Sequence, residues 1–150
     1  MPKSYTDILY HSVFSTKERR SLIRPEFKDD LFAYMGGIVR ELGGKALIIN
    51  GVDDHVHMLI SFPAHPSLRD AMRVIKTNSS RWLHKAYPRH RDFSWQVGYG
   101  GFTVSRSAVP KVIRYIERQE EHHKKMDFKT EFIRLLKAHG VAYDERYIWD

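Results

Sequence analysis

Nine residues constrain this chain more than any other stretch: Asp53-Asp54-His55-Val56-His57-Met58-Leu59-Ile60-Ser61. They alternate with a period of two, so in a strand Val56, Met58 and Ile60 face one way while His55 and His57 face the other. Two imidazoles so placed can share one divalent cation through neutral ring nitrogens, provided a third ligand arrives from elsewhere in the chain. The same pair on a half-buried strand can equally be two ordinary surface histidines. Its meaning therefore depends on what the remaining sequence supplies.

The flanking elements follow from periodicity and punctuation. Ile8 to Phe14 is rich in strand formers, and the basic polar segment Ser15 to Arg20 reads as a loop. Phe27, Leu31, Met35, Ile38 and Leu42 recur at helical spacing between Pro25 and Leu42, with Gly43-Gly44 as the stop. Lys45 to Asn50 is a second strand, joined to the histidine strand by a hairpin through Gly51-Val52-Asp53. Pro63 and Pro66 close that strand, and Ser67 caps a helix reaching about Tyr87. Phe93 to Val97 reads as a further strand, leading into the glycine-rich Gly98 to Ser105, where a bend or close backbone approach is expected. The order strand, helix, strand, strand, helix, strand is the ferredoxin-like split βαβ arrangement: an α+β fold with an antiparallel sheet backed by helices. At 150 residues the chain suits one domain, with about 107–150 forming its helical C-terminal extension.

Charge narrows the choice of partner. A net charge of +7 favours polyanions, because clustered lysines and arginines release counterions from phosphates. Arg69, Arg73, Lys76, Arg81 and Lys85 line the second long helix, Arg89 and Arg91 extend the run, and Trp82 and Tyr87 lie among them. Cations mixed with aromatics suit phosphate contacts and base stacking on an unpaired strand. There is no cysteine, which excludes thiolate metal sites, thiol catalysis and a disulfide framework. Neither a signal peptide nor a membrane-length apolar run is visible, so a cytoplasmic location is expected.

A second group of residues gives the histidine pair its context. A helix from about Ala108 to His123, capped near Ser107, buries Val109, Val112, Ile113 and Ile116. Tyr115 then lies roughly 110° from the centre of that stripe, with Gln119 one turn later on the same flank. Tyrosine and amide would be presented together, away from the core. Phe128, Phe132, Leu135 and Leu136 form a last amphipathic helix ending at Gly140.

His-hydrophobic-His on a strand followed by Tyr-x-x-x-Gln on a helix resembles the single-tyrosine HUH transposases of the smallest bacterial insertion sequences, the IS200-like elements and their relatives associated with repetitive extragenic palindromes. The likeness is carried by Asp54-His55-Val56-His57, the Gly98 to Ser105 stretch, Tyr115 to His123, and Val141-Ala142-Tyr143-Asp144-Glu145-Arg146-Tyr147. It implies Tyr115 as nucleophile and His55, His57 and Gln119 as ligands of magnesium or manganese. It also implies a homodimer, with the site assembled within one chain or by packing each tyrosine helix against the partner's histidine strand, and single-stranded DNA with a hairpin as substrate, cut and rejoined without a nucleotide cofactor. The residues make that chemistry coherent. A phenol with a pKa of about 10 needs deprotonation and a more receptive electrophile, and a cation with open positions polarises a phosphate. Two imidazoles and an amide do not by themselves select among magnesium, manganese and zinc. Asp53, which shares strand parity with the histidines, and His123, four residues beyond Gln119, are candidate supporting groups around the metal. The alternative is a non-catalytic, domesticated protein that binds hairpins or single-stranded nucleic acid.

Overall fold

Strand β1 (Leu9–Ser15) runs through the interior of the sheet with a neighbour on each side. The computed structural model describes residues 4–149. Helix α1 (Pro25–Glu41) carries the chain over one face to β2 (Lys45–Gly51), which turns back into β3 (His55–Ser61). Helix α2 (Leu68–Ala86) returns over the same face to β4 (Gly100–Val104). The sheet order is β2-β3-β1-β4 and every neighbouring pair is antiparallel. This is the ferredoxin-like split βαβ topology expected from the element order.

The α1 boundaries follow from the local chemistry. Pro25 fixes the first turn, and Gly43 takes a φ of +87° just past the end, where a side chain would be strained. Phe27, Leu31, Met35 and Ile38 pack with Met72, Ile75 and Leu83 of α2 against Phe14, Val56, Met58 and Ile60 of the sheet. The residues of β3 that face these helices are the alternating set read from the sequence.

One expected strand is absent. Around Phe93 to Val97 only Trp95 makes a bridge, to Thr16. Phe93 and Trp95 are buried in the main core, and the Trp95 indole donates to Ser79 Oγ at 3.0 Å. Gln96 meets Ser15 through both backbone and side chain, with Gln96 N–H donating to Ser15 O at 2.9 Å. Ring packing and these local bonds consume the groups that a continuous ladder would need. The edge strand is instead the glycine-rich stretch that follows.

Three shorter helices cover the other face: α3 (Val109–Glu117), α4 (Gln119–Lys125) and α5 (Phe128–Ala138). The expected single helix from Ala108 to His123 is interrupted at Arg118, whose φ and ψ of −97° and 26° leave the α-helical region. Its start also differs: Arg106–Ala108 form a 3₁₀ turn, and the Ser107 hydroxyl meets that of Ser105 at 3.1 Å rather than capping the helix.

Two apolar clusters flank a polar strip on this face. Leu9, Leu59, Val104, Val109 and Ile116 form one; Val13, Phe102, Phe128, Phe132 and Leu136 form the other. His11, His55 and His57 lie on the same face of β1 and β3. Helix α5 begins with Asp127 accepting a bond from Thr130 N–H at 2.9 Å. It lies close to β4 because residue 100 is glycine: a Cβ there would stand 2.6 Å from Phe132 Cε1. Gly100→Ala is expected to destabilise the protein by about 1–3 kcal/mol through overpacking. The loss should fall on α5, read as faster amide exchange over Phe128–Ala138 together with a lower melting temperature; unchanged exchange there would contradict this account of the docking.

Candidate active site

The strand pairing sets the first part of the site. His57 stands opposite Val13 and His55 opposite Ser15 on the face covered by α3, α4 and α5. Both imidazoles are buried, with 1% exposure for His55 and none for His57, so the surface-histidine alternative does not describe them. Each is oriented through its Nδ1: His55 donates to Asp54 Oδ1 at 2.7 Å, and His57 meets His11 Nε2 at 2.8 Å. Their Nε2 atoms point toward the C-terminal helices.

Tyr115 and Gln119 approach from α3 and α4. The expectation that they face away from the core is corrected: the break at Arg118 and the cover of α5 place both between the helices and the sheet, with Gln119 fully buried and Tyr115 half-buried. Gln119 Oε1 lies 3.0 Å from His55 Nε2, and its Nε2 donates to the Tyr115 carbonyl at 3.4 Å. The Tyr115 ring stacks on His122 with centroids 4.6 Å apart, and it meets His57 edge-on at 5.8 Å.

Glu131 of α5 joins these groups. Its Oε1 accepts from His55 Nε2 at 3.2 Å and from His57 Nε2 at 3.1 Å, while its Oε2 accepts from the Tyr115 hydroxyl. Burial works against charge on Glu131, but the bonds from His55 and His57 outweigh it and hold the carboxyl well below its ordinary range. His55 shows the converse balance: burial disfavours its cation, yet the carboxylates of Asp54 and Glu131 keep its pKa up at about 9. Burial pushes His57 down, and it holds His11 down at about 3 with help from His57. Burial and the Glu131 hydrogen bond raise the Tyr115 phenol above its ordinary value.

The structure thus brings His55, His57, Gln119 and Tyr115 into one cluster within a single chain. The tyrosine helix packs on β2 and β3 of its own chain. The supporting groups differ from expectation. Asp53 sits in the turn before β3, where it accepts from Ser21 Oγ at 2.6 Å; its neighbour Asp54 is the residue that orients His55. His123 lies 3.5 Å from Asp53, with its ring 5.8 Å from that of His55. Three contributors escaped the sequence reading: Asp54, His11 and Glu131. A charged residue three positions after Phe128, inside the apolar stripe of α5, was the available signal for Glu131; His11, between Leu9 and Val13 on one strand face, was that for its neighbour.

The basic residues lie elsewhere. Arg69, Arg73, Arg81 and Lys85 are exposed on α2, with Arg89 and Arg91 exposed just beyond it, across the sheet from the histidines. Lys76 is different. Its Nζ donates to the Gln96 and Gly98 carbonyls at 2.5 and 2.7 Å, and burial lowers its pKa to about 8, so it ties α2 to the loop before β4.

A ferredoxin-like sheet carrying two inward histidines opposite a tyrosine and an amide on a C-terminal helix pair is the arrangement of a single-tyrosine transposase. Residues 4–119 match the family model described as "Transposase IS200 like", and the chain belongs to that family. It is 31% identical over 125 residues to the transposase for insertion sequence element IS200 of Salmonella typhimurium, covering 77% of this chain and 78% of the relative. It is 26% identical over 117 residues to the ISDra2 transposase TnpA of Deinococcus radiodurans, covering 75% and 84%. Among solved structures, a Deinococcus radiodurans protein described as a transposase superposes with a TM-score of 0.62 at 24% identity, covering 79% of this chain and 98% of that one. A REP-associated tyrosine transposase bound to a REP hairpin superposes at 0.56 with 12% identity, covering 83% and 72%. These last two establish likeness of fold. No described helix is long and apolar enough to cross a membrane.

The buried pairs make stability depend on pH in opposite senses. His55 stays protonated in the folded protein to about 9 against 6.5 unfolded, so its contribution is whole below pH 6.5 and disappears as pH rises to 9. His11, at about 3 against 6.5, stays neutral in the folded protein while the unfolded chain takes up the proton, so its contribution falls as pH drops below 6.5. In chelator, the melting temperature is expected to peak near pH 6.5 and decline on both sides, and Glu131→Gln should flatten the alkaline decline. A wild-type melting temperature that climbs from pH 6.5 to 9 would contradict the His55–Glu131 pairing.

Proposed function

We propose that this transposase cuts and rejoins single-stranded DNA beside a hairpin through a covalent bond to Tyr115, with magnesium or manganese held by His55, His57 and Gln119. The observation that carries the reading is the convergence of the Tyr115 hydroxyl with two buried imidazole nitrogens and an amide oxygen. The donor set fits a divalent ion. Both Nε2 atoms point to one place, each ring is fixed through its other nitrogen, and Gln119 Oε1 adds an oxygen 3.0 Å from His55 Nε2. When bound, such an ion polarises the scissile phosphate and stabilises the charge that develops on it.

The chain's own groups account for the rest. Stacking on His122 and the hydrogen bond to Glu131 hold the phenol at the mouth of the histidine cluster. Attack by the Tyr115 oxygen forms a bond to phosphorus and breaks the bond from phosphorus to the 3′ oxygen, leaving a 5′-phosphotyrosine and a free 3′-hydroxyl. The phosphodiester is exchanged rather than hydrolysed, so a 3′-hydroxyl from another strand reverses the step and joins new ends. The exposed arginines of α2 supply phosphate contacts, and the REP-hairpin complex of the structural neighbour supports a hairpin as the recognised shape. A homodimer belongs to the same reading. Each protomer would carry its own tyrosine, histidines and glutamine.

Tyr115→Phe is expected to abolish the covalent protein–DNA band on a denaturing gel with labelled hairpin DNA and manganese, while leaving hairpin affinity nearly unchanged. His57→Ala should lower adduct formation by at least about a hundredfold, the scale of losing a preorganised charge-stabilising group. An adduct formed by Tyr115→Phe would overturn the assignment. Hairpin binding by the wild type with no adduct on sequences flanking its own gene would favour the domesticated binding protein.

A further inference from the structure

We infer that Glu131 is a fourth ligand of the same metal, contributed by a helix outside the family match, and that its second carboxylate oxygen anchors the nucleophilic tyrosine. The inference rests on the metal reading above. It adds a residue and a coupling that His55, His57 and Gln119 do not contain. The family model ends at residue 119, whereas Glu131 lies in α5 beyond it.

Three observations carry it. The first is spacing. His55 Nε2 lies 3.0 Å from Gln119 Oε1 and 3.2 Å from Glu131 Oε1, and His57 Nε2 lies 3.1 Å from the same Oε1. Adjacent ligands of an octahedral ion with bonds of about 2.1 Å stand about 3 Å apart, so these atoms already sit at ligand separations. His55, His57 and Glu131 also form one of the two clusters of metal-binding side chains among the described residues, and all three are buried.

The second observation is charge. Two neutral imidazoles and an amide bring none, and a dication buried among them alone is poorly compensated. Glu131 is 4% exposed and supplies a negative oxygen, the donor type that magnesium and manganese prefer over nitrogen. The third is fixation. Phe128 and Phe132 pack into the apolar cluster on either side of Glu131, and Gly100 leaves room for the Phe132 ring, so the carboxylate is held at the site by α5 rather than swung in on a loop. With Oε1 on the ion, Oε2 retains the Tyr115 hydroxyl bond. The nucleophile is then aligned from the metal through one carboxylate.

The test is calorimetric titration of manganese into the full-length, DNA-free protein: wild type, Glu131→Gln, Glu131→Ala and His57→Ala. Circular dichroism and melting in chelator verify that each variant is folded. Both Glu131 variants are expected to bind manganese at least about tenfold more weakly than wild type, the lower end of what losing a supporting group costs a metal site. If Glu131→Ala does not fold, the isosteric glutamine variant decides. Unchanged affinity in Glu131→Gln, alongside loss in His57→Ala, would overturn the Glu131 assignment and leave the metal reading intact. Tighter binding in Glu131→Gln would overturn it too, because the carboxylate would then be a plug that the ion must displace. A wild type that binds no manganese would overturn both.

Discussion

The site depends on keeping one carboxylate charged inside the protein. Glu131 is buried on the inner side of α5, a location that opposes ionisation, and the hydrogen bonds from His55, His57 and Tyr115 make its charge tolerable. Each partner is in turn fixed by something else: His55 by Asp54, His57 by His11, Tyr115 by the stack on His122. The polar strip is therefore a connected network rather than a set of pairs. Removing any member leaves a buried group without its partner, which is costlier than the bond itself.

The apolar architecture makes that network possible. The face of the sheet toward α1 and α2 has one large core, and that core bears most of the folding load. The opposite face has two smaller clusters, and between them lies the buried histidine strip. A protein that packed both faces equally well with aliphatic side chains would have no room for imidazoles. Splitting the second core in two is the structural concession the chemistry requires.

Much of this was legible from local pattern. The alternation in Val56, Met58 and Ile60 assigned the faces of β3, and the spacing of Phe27, Leu31, Met35 and Ile38 located α1, because both report burial against one side of an element. The order of elements was enough for the topology. Residues 93–97 misled because Phe93 and Trp95 have strand-forming side chains whose burial comes from packing over the end of β1, not from a ladder. The break at Arg118 was invisible because the sequence around it contains neither glycine nor proline. Within the site, Tyr115, Gln119, His55 and His57 could be named from spacing and resemblance. Asp54, His11 and Glu131 could not, since their roles exist only once distant elements meet: the sequence separation between His57 and Glu131 is 74 residues.

That separation has a consequence for how the protein comes into being. Strands β1 to β4, with α1 and α2, all precede α5 in the sequence, so they leave the ribosome before it does. Until α5 docks in the notch at Gly100, His55 and His57 lack the Glu131 carboxylate, and His55 lacks the aromatic cover of Phe128. The cluster therefore cannot be complete until α5 has been synthesised. The buried cluster is thus completed by a helix that follows the whole sheet in sequence.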